Sequence, residues 1–289
     1  MSDPLAPDRL APPTPGQLRR LLRAEGLRPR KSLSQNFLTD AEALDAIVAA
    51  AELAPGERVV EIGPGLGVLT RRLLAAGARV TAVEVDPGLA AWLRRELAGV
   101  ERFDLIEADA LTLHPRDLGG DGDYKVVANI PYHITSPLLH AFLGAEEPPE
   151  RIVLLVQVEV AERVAAPPGR MSYLSVFAQN VAHAEIVGRV PAAAFEPAPE
   201  VDSAILRLRR RDAPVVPRGE RRERFVRLVQ GGFRERRKQL HNVLARQLAL
   251  PRIDLDAALA ACAIDAERRP QTLAVEEWAR LAAALEGRL

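Results

Sequence analysis

The stretch VVANIPYHIT, residues 126–135, ends an apolar run on side chains that could do chemistry. Asn129 brings a carboxamide, Pro131 fixes the backbone beside it, and Tyr132 brings a flat amphipathic ring. This set suits an acceptor that is an exocyclic amine on a nucleobase. Such an amine is a poor nucleophile because its lone pair is delocalised into the ring, and hydrogen-bond acceptors that draw its hydrogens out of plane restore the lone pair without a strong base. Asn129 and a neighbouring backbone carbonyl are the candidate acceptors. Tyr132 is the candidate stacking ring, and base–aromatic stacking, worth roughly 1–3 kcal/mol, is comparable with the few kcal/mol needed to unstack a base. The same residues also read as an ordinary strand-terminating turn, so their place in the fold decides between the two readings.

A second group of polar residues stands at the ends of apolar runs upstream. VVEIGPGLGVLT is a Gly-rich turn entering a helical pattern, a unit that offers backbone amides and a helix N-terminus to a ligand. Its glycines, at 63, 65 and 67, depart from the spacing of dinucleotide-binding turns. The next run ends VEVD, placing Glu84 where it could accept both hydroxyls of a ribose, and the third ends IEAD, placing Asp109 beside an adenine amino group. Each acid alone is an ordinary loop carboxylate. Three successive runs ending on suitable groups point to a nucleoside-bearing cofactor.

Positioning these residues requires a sheet. Residues 58–160 alternate Val/Ile-rich runs with helical patterns, which predicts parallel strands covered on both faces, a doubly wound α/β sheet. Glu61, Gly63, Glu84, Asp109 and Asn129 then fall at carboxyl ends of strands, where such sheets bind ligands. Two further runs, AEIVGRVP and VDSAILRLRRR, predict an antiparallel hairpin closing one edge. Beyond DAPVVPRG only helical patterns remain, with Pro251 and Pro270 near helix ends. The expected organisation is a Pro-rich leader at 1–16, a cofactor-binding domain at 17–211, a linker at 212–218 and a small all-α domain at 219–289.

Composition narrows the partners. The 289 residues have zero formal net charge, yet residues 1–200 hold 20 basic and 27 acidic side chains while 201–289 hold 19 and 12. Within 207–238 the count is 13 basic to 4 acidic, a footprint suited to phosphate backbones. Arg234, Arg237 and Lys238 are three or four residues apart and are expected on one helix face, with Phe233, Leu240 and Leu244 as its packed stripe. Arg outnumbers Lys 36 to 3, so a solvated Arg-rich face is the competing reading. The single Cys262 is expected to pack as a small hydrophobe, and the five histidines show no ligand spacing, so no metal is expected. The leader has no apolar segment of signal-peptide or membrane-span length, and a cytoplasmic monomer is expected.

The strand-end residues together resemble class I S-adenosylmethionine-dependent methyltransferases. More specifically, SLSQNFLTD, VVEIGPGLGVLT, AVEVD, EADAL, VVANIPYHITSPLL, VEVAER, FEPAPEVDSAILRL and GGFRERRKQLHNVL occur in the order and spacing of the ribosomal RNA adenine dimethyltransferases. VDSA and the helical tail resemble the small-subunit (16S) branch. The resemblance implies S-adenosyl-L-methionine as cofactor and dimethylation at N6 of two adjacent adenosines near the 3′ end of 16S rRNA, with a role in small-subunit biogenesis. It also implies that Asn36 and Leu38 touch the methionine end of the cofactor, that Gly63, Glu84, Asp109 and Asn129 complete the binding set, and that Phe195 flanks the target adenine opposite or edge-on to Tyr132. The alternatives are a large-subunit (23S) rRNA dimethyltransferase and a non-catalytic assembly factor. Val158 replaces the family's Lys in QVEVAER, and PGRMSYLSV is two residues shorter than its family counterpart, which puts an RNA contact by that loop in doubt.

Overall fold

The computed structural model describes residues 4–30, 35–120, 122–131 and 134–288. Tyr132, one of the expected substrate contacts, lies outside the described residues. The chain divides into two compact units, one of residues 1–161 with 185–210 and one of residues 162–184 with 211–289.

The first unit carries a small ladder of β1 (Phe37–Leu38) and β8 (Phe195–Glu196), together with most of a seven-stranded sheet. The sheet strands are β2 (Arg58–Ile62), β3 (Arg79–Glu84), β4 (Phe103–Glu107), β5 (Lys125–Asn129), β6 (Arg151–Gln157), β7 (Ala182–Val190) and β9 (Ser203–Arg210), in the order β4-β3-β2-β5-β6-β9-β7. The first five are parallel, and β9 runs antiparallel to β6 with β7 beside it at the edge. This is the α/β sheet with a closing edge pair that the run pattern predicts. The central strands read Val-Val-Glu-Ile and Val-Val-Ala because both faces are covered: Val59, Val60, Val126, Val127 and Ala128 are all buried. The direction of winding reverses between β2 and β5, so Glu61 and Asn129 stand on the two sides of the switch point.

The N-terminal segment is tied to this unit. Helix Pro15–Ala24 is capped by the Thr14 side chain, and its buried Leu18 and Leu22 join the sheet's core. Arg30 pairs with Asp86 at 3.0 Å, which brings the segment beside the end of β3.

The second unit has its own core around Trp278, Phe225, Leu228, Leu240 and Leu244. Helix Tyr173–Val181 contributes Val176 to it, and Asn180 accepts from Val216 N at 2.8 Å. Residues 162–184 therefore pack with the C-terminal helices, whereas the order of patterns along the chain assigned them to the sheet domain. Helix Glu220–Phe233 stops before the basic cluster, and the next helix begins at Leu240. Arg234 is thus the C-cap of the first helix while Arg237 and Lys238 lie in the connecting segment, so the three do not share the face of one helix, a correction to the expectation from their spacing. Tertiary contacts set the break: the Leu240 and His241 amides donate to Arg268 O and Ala266 O at 2.8 and 3.4 Å, and Gly232 lies against Trp278 so closely that a Cβ would come within 2.4 Å of its ring. Among the described residues no helix is long and apolar enough to cross a membrane, and no group of three metal-ligating side chains occurs.

Candidate active site

One cavity in the first unit is lined by Asn36, Leu38, Gly63, Glu84, Asp109 and Asn129, all six expected cofactor contacts. They arrive from five segments of the chain. The turn after β2 supplies the floor. Gly63, Gly65 and Gly67 all adopt left-handed φ, +66°, +60° and +76°, which side chains rarely tolerate. At Gly63 the backbone conformation alone demands glycine, since a Cβ would sit 3.9 Å from Asn129 O and the Pro131 ring, in ordinary contact. At Gly65 there is a second reason, because the Phe37 ring lies 3.2 Å from where a Cβ would be. Phe37 is held over the turn by the β1–β8 ladder, in which Phe37 pairs with Glu196 and Leu38 with Phe195.

Glu84 ends β3 with its carboxylate buried and aimed by two backbone amides. Oε1 accepts from Asp86 N at 2.9 Å and Oε2 from Gly65 N at 3.1 Å. Glu84 lines the cavity, and a carboxylate with two lone pairs on each oxygen can accept further hydrogen bonds there, the capacity needed for two vicinal hydroxyls. Burial raises the Glu84 pKa above the ordinary carboxylate value, the amides of Asp86 and Gly65 oppose the rise, and the charge of Asp86 adds to it. Asp109 is exposed at the rim, where one oxygen accepts from Leu111 N at 2.9 Å and fixes the carboxylate.

Glu61 is the residue that strand-end reasoning placed but gave no task. It lines the same cavity, is 1% exposed, and its Oε2 has no hydrogen-bond partner. Burial pushes its carboxyl up to about 8. Nearby Thr70 offsets part of the rise, though its hydroxyl too is left without a hydrogen-bond partner, and the charge of Glu84 adds to it. An acid inside an otherwise apolar strand, next to a Gly turn, is the signal by which sequence could have singled it out. A buried acceptor with no donor is costly unless a ligand supplies one.

Asn129, at the end of β5, donates from Nδ2 to Asn36 O at 3.4 Å, which ties the strand end to the segment before β1. Its carboxamide oxygen has no partner among the described residues. Further along, Ile134 N donates to Pro131 O at 3.2 Å. Phe195 is not brought to the cavity. It is 3% exposed and packed in the core of the first unit, where it supports Leu38 from the neighbouring strand. The basic trio belongs to the second unit.

The strand order with its cavity at the switch point defines a class I methyltransferase, and the cofactor is S-adenosylmethionine. Its cationic amino acid and nucleoside match what the cavity holds: an unpartnered buried acceptor at Glu61, a two-acceptor carboxylate at Glu84 and a rim acid at Asp109. The model of the ribosomal RNA adenine dimethylase family matches residues 26–286. The ribosomal RNA small subunit methyltransferase A of Moorella thermoacetica is 42% identical over 284 residues, covering 94% of this chain and 98% of that relative. The protein of the same name from Desulfitobacterium hafniense is 44% identical over 262 residues, covering 90% and 93%. Among solved structures, the 23S rRNA methyltransferase ErmE superposes with a TM-score of 0.71 at 36% identity, covering 87% of this chain and all of that one. A dimethyladenosine transferase from Plasmodium falciparum gives 0.74 at 24% identity over 85% and 95%, a likeness of fold. This chain belongs to the ribosomal RNA adenine dimethylase family.

Proposed function

We propose that this protein dimethylates N6 of two adjacent adenosines near the 3′ end of 16S rRNA, in the small ribosomal subunit or its precursor, acting in the cytoplasm during subunit biogenesis. The observation that carries the chemistry is Asn129: its carboxamide oxygen has no partner among the described residues, it lines the cavity that Glu84 and Asp109 also line, and its amide is tethered to Asn36 O. The cofactor supplies an activated methyl on a sulfonium, so the protein's task is placement. Glu84 and Asp109 orient the nucleoside. Asn129, with a backbone carbonyl of the 129–132 turn, accepts the amine hydrogens and turns the lone pair toward the methyl. Tyr132 stacks on the extruded base, and Phe195, buried in the core, supports Leu38 from the neighbouring strand.

The small-subunit assignment is supported by the names of relatives at 42% and 44% identity. Fold does not discriminate, since a 23S enzyme superposes over its whole length. Incubation with methyl-labelled cofactor and unmethylated small or large subunits tests the assignment: label entering small subunits alone is expected, and label entering large subunits alone would overturn it.

A further inference from the structure

The second unit contains a groove that the motif at 234–238 does not describe. Three arginines, Arg227 and Arg234 from one helix and its C-cap and Arg288 from a distant part of the chain, line it together with Gln230 and Gln247, and no carboxylate is among the lining residues. Arg227 and Gln230 lie on helix Glu220–Phe233, and Arg234 follows as its C-cap with helical dihedrals, φ −60° and ψ −33°. Residues 227, 230 and 234 therefore share one face, a row about 10 Å long at 1.5 Å per residue.

The row is built rather than incidental. Gly231 forms part of its floor, and a Cβ there would meet Leu248 at 3.2 Å, so the bare backbone lets Leu248 close the bottom. Gln247 donates to Glu235 at 3.0 Å, which turns its carboxamide oxygen to accept from Arg234 at 3.1 Å. Arg234 is thus oriented by a neutral partner and keeps its full charge. Arg288 is paired with Asp254 at 3.2 Å, while Arg227 is exposed with no partner among the described residues.

Arg227 and Arg234, two guanidinium groups of the row with no carboxylate partner among the described residues, fit phosphates, which such groups grip in bidentate fashion. Gln230 donates to Tyr173 at 3.3 Å and leaves its carboxamide oxygen to accept, as from a ribose 2′-hydroxyl. We propose that this groove is a binding cradle for the RNA sugar–phosphate backbone, with Arg227 as a phosphate contact additional to Arg234, Arg237 and Lys238. The proposal rests on the reading that the protein acts on RNA.

Its test is Arg227→Gln and Arg227→Lys in the full chain, with binding measured from low to moderate salt against small subunits and against a short single-stranded RNA oligonucleotide. One lost phosphate contact should lower the log–log salt slope by about 0.7 and weaken binding roughly tenfold at low salt for Arg227→Gln. Arg227→Lys should keep the slope, and cofactor affinity should stay as in the wild type. Unchanged affinity and slope in a folded Arg227→Gln protein would overturn the cradle. If wild-type protein instead methylates only large subunits, the small-subunit assignment fails, and the oligonucleotide slopes still decide the groove.

Discussion

Glu61→Gln separates the electrostatic cost of the buried carboxyl from its service to the cofactor. In the folded protein without cofactor, burial and the charge of Glu84 push Glu61 up to about 8, against 4.5 for a free side chain. The folded state therefore holds this proton more tightly than the unfolded chain does. The carboxyl costs no stability below pH 4.5, and stability is lost as pH rises from 4.5 toward 8. Integrating the difference in proton occupancy between about pH 5.5 and about pH 8 gives a loss of roughly 3 kcal/mol. Glutamine has nearly the same shape and no charge to lose, so the mutant escapes this term. Thermal unfolding by circular dichroism should show the melting temperature of Glu61→Gln minus that of wild type growing by roughly 6–12 °C across that interval, at about 2–4 °C per kcal/mol. Titrating groups that do not interact with Glu61 cancel in the difference. The same mutant should bind S-adenosylmethionine more weakly, and the wild-type affinity should rise with pH up to about 8 as ionisation of Glu61 is linked to binding a cation. A melting-temperature difference that stays flat with pH would mean that Glu61 does not carry a raised pKa in the folded protein.

Glu84→Ala should raise the cofactor dissociation constant roughly tenfold to a hundredfold by calorimetry, the worth of a buried charge-assisted hydrogen bond, with RNA affinity nearly unchanged. Asn129→Ala and Tyr132→Ala should each fall steeply in turnover while keeping most subunit affinity, and near-normal turnover in both would reduce the 129–132 segment to a turn. Neutralising Arg234, Arg237 and Lys238 together should lower the salt slope of subunit binding by about 2 if each holds a phosphate, measured by filter binding from low to moderate salt.

The parts of this fold that sequence made legible are those governed by local rules. Val-rich runs between helical patterns revealed the parallel sheet, and polar residues at the ends of those runs revealed the cavity, because strand ends converge at a switch point whatever the loops do. Long-range contacts hid the rest. Resemblance gives Phe195 as a neighbour of the target adenine, but the two-residue ladder with Leu38 that buries it has no periodicity to detect. Residues 234–239 contain no helix breaker, and the chain turns there because Leu240 and His241 are bonded to the 266–268 segment. Helix Tyr173–Val181 sits between strands in sequence but packs with Val216 and the C-terminal helices, a choice made by its partners rather than its own pattern. The groove at Arg227 is invisible in sequence for the same reason: Arg288 is distant along the chain and nothing local marks its convergence with Arg234.

The most direct measurement is the chemical identity and position of the product. Small subunits lacking the modification, incubated with the protein and S-adenosylmethionine, would be digested and analysed by mass spectrometry, both as nucleosides and as 3′-terminal fragments of the 16S rRNA. N6,N6-dimethyladenosine is expected at two adjacent positions in a single 3′-proximal fragment, with none formed by Asn129→Ala in the same time. Methyl groups on any other atom, or undiminished product from Asn129→Ala, would contradict the proposed function.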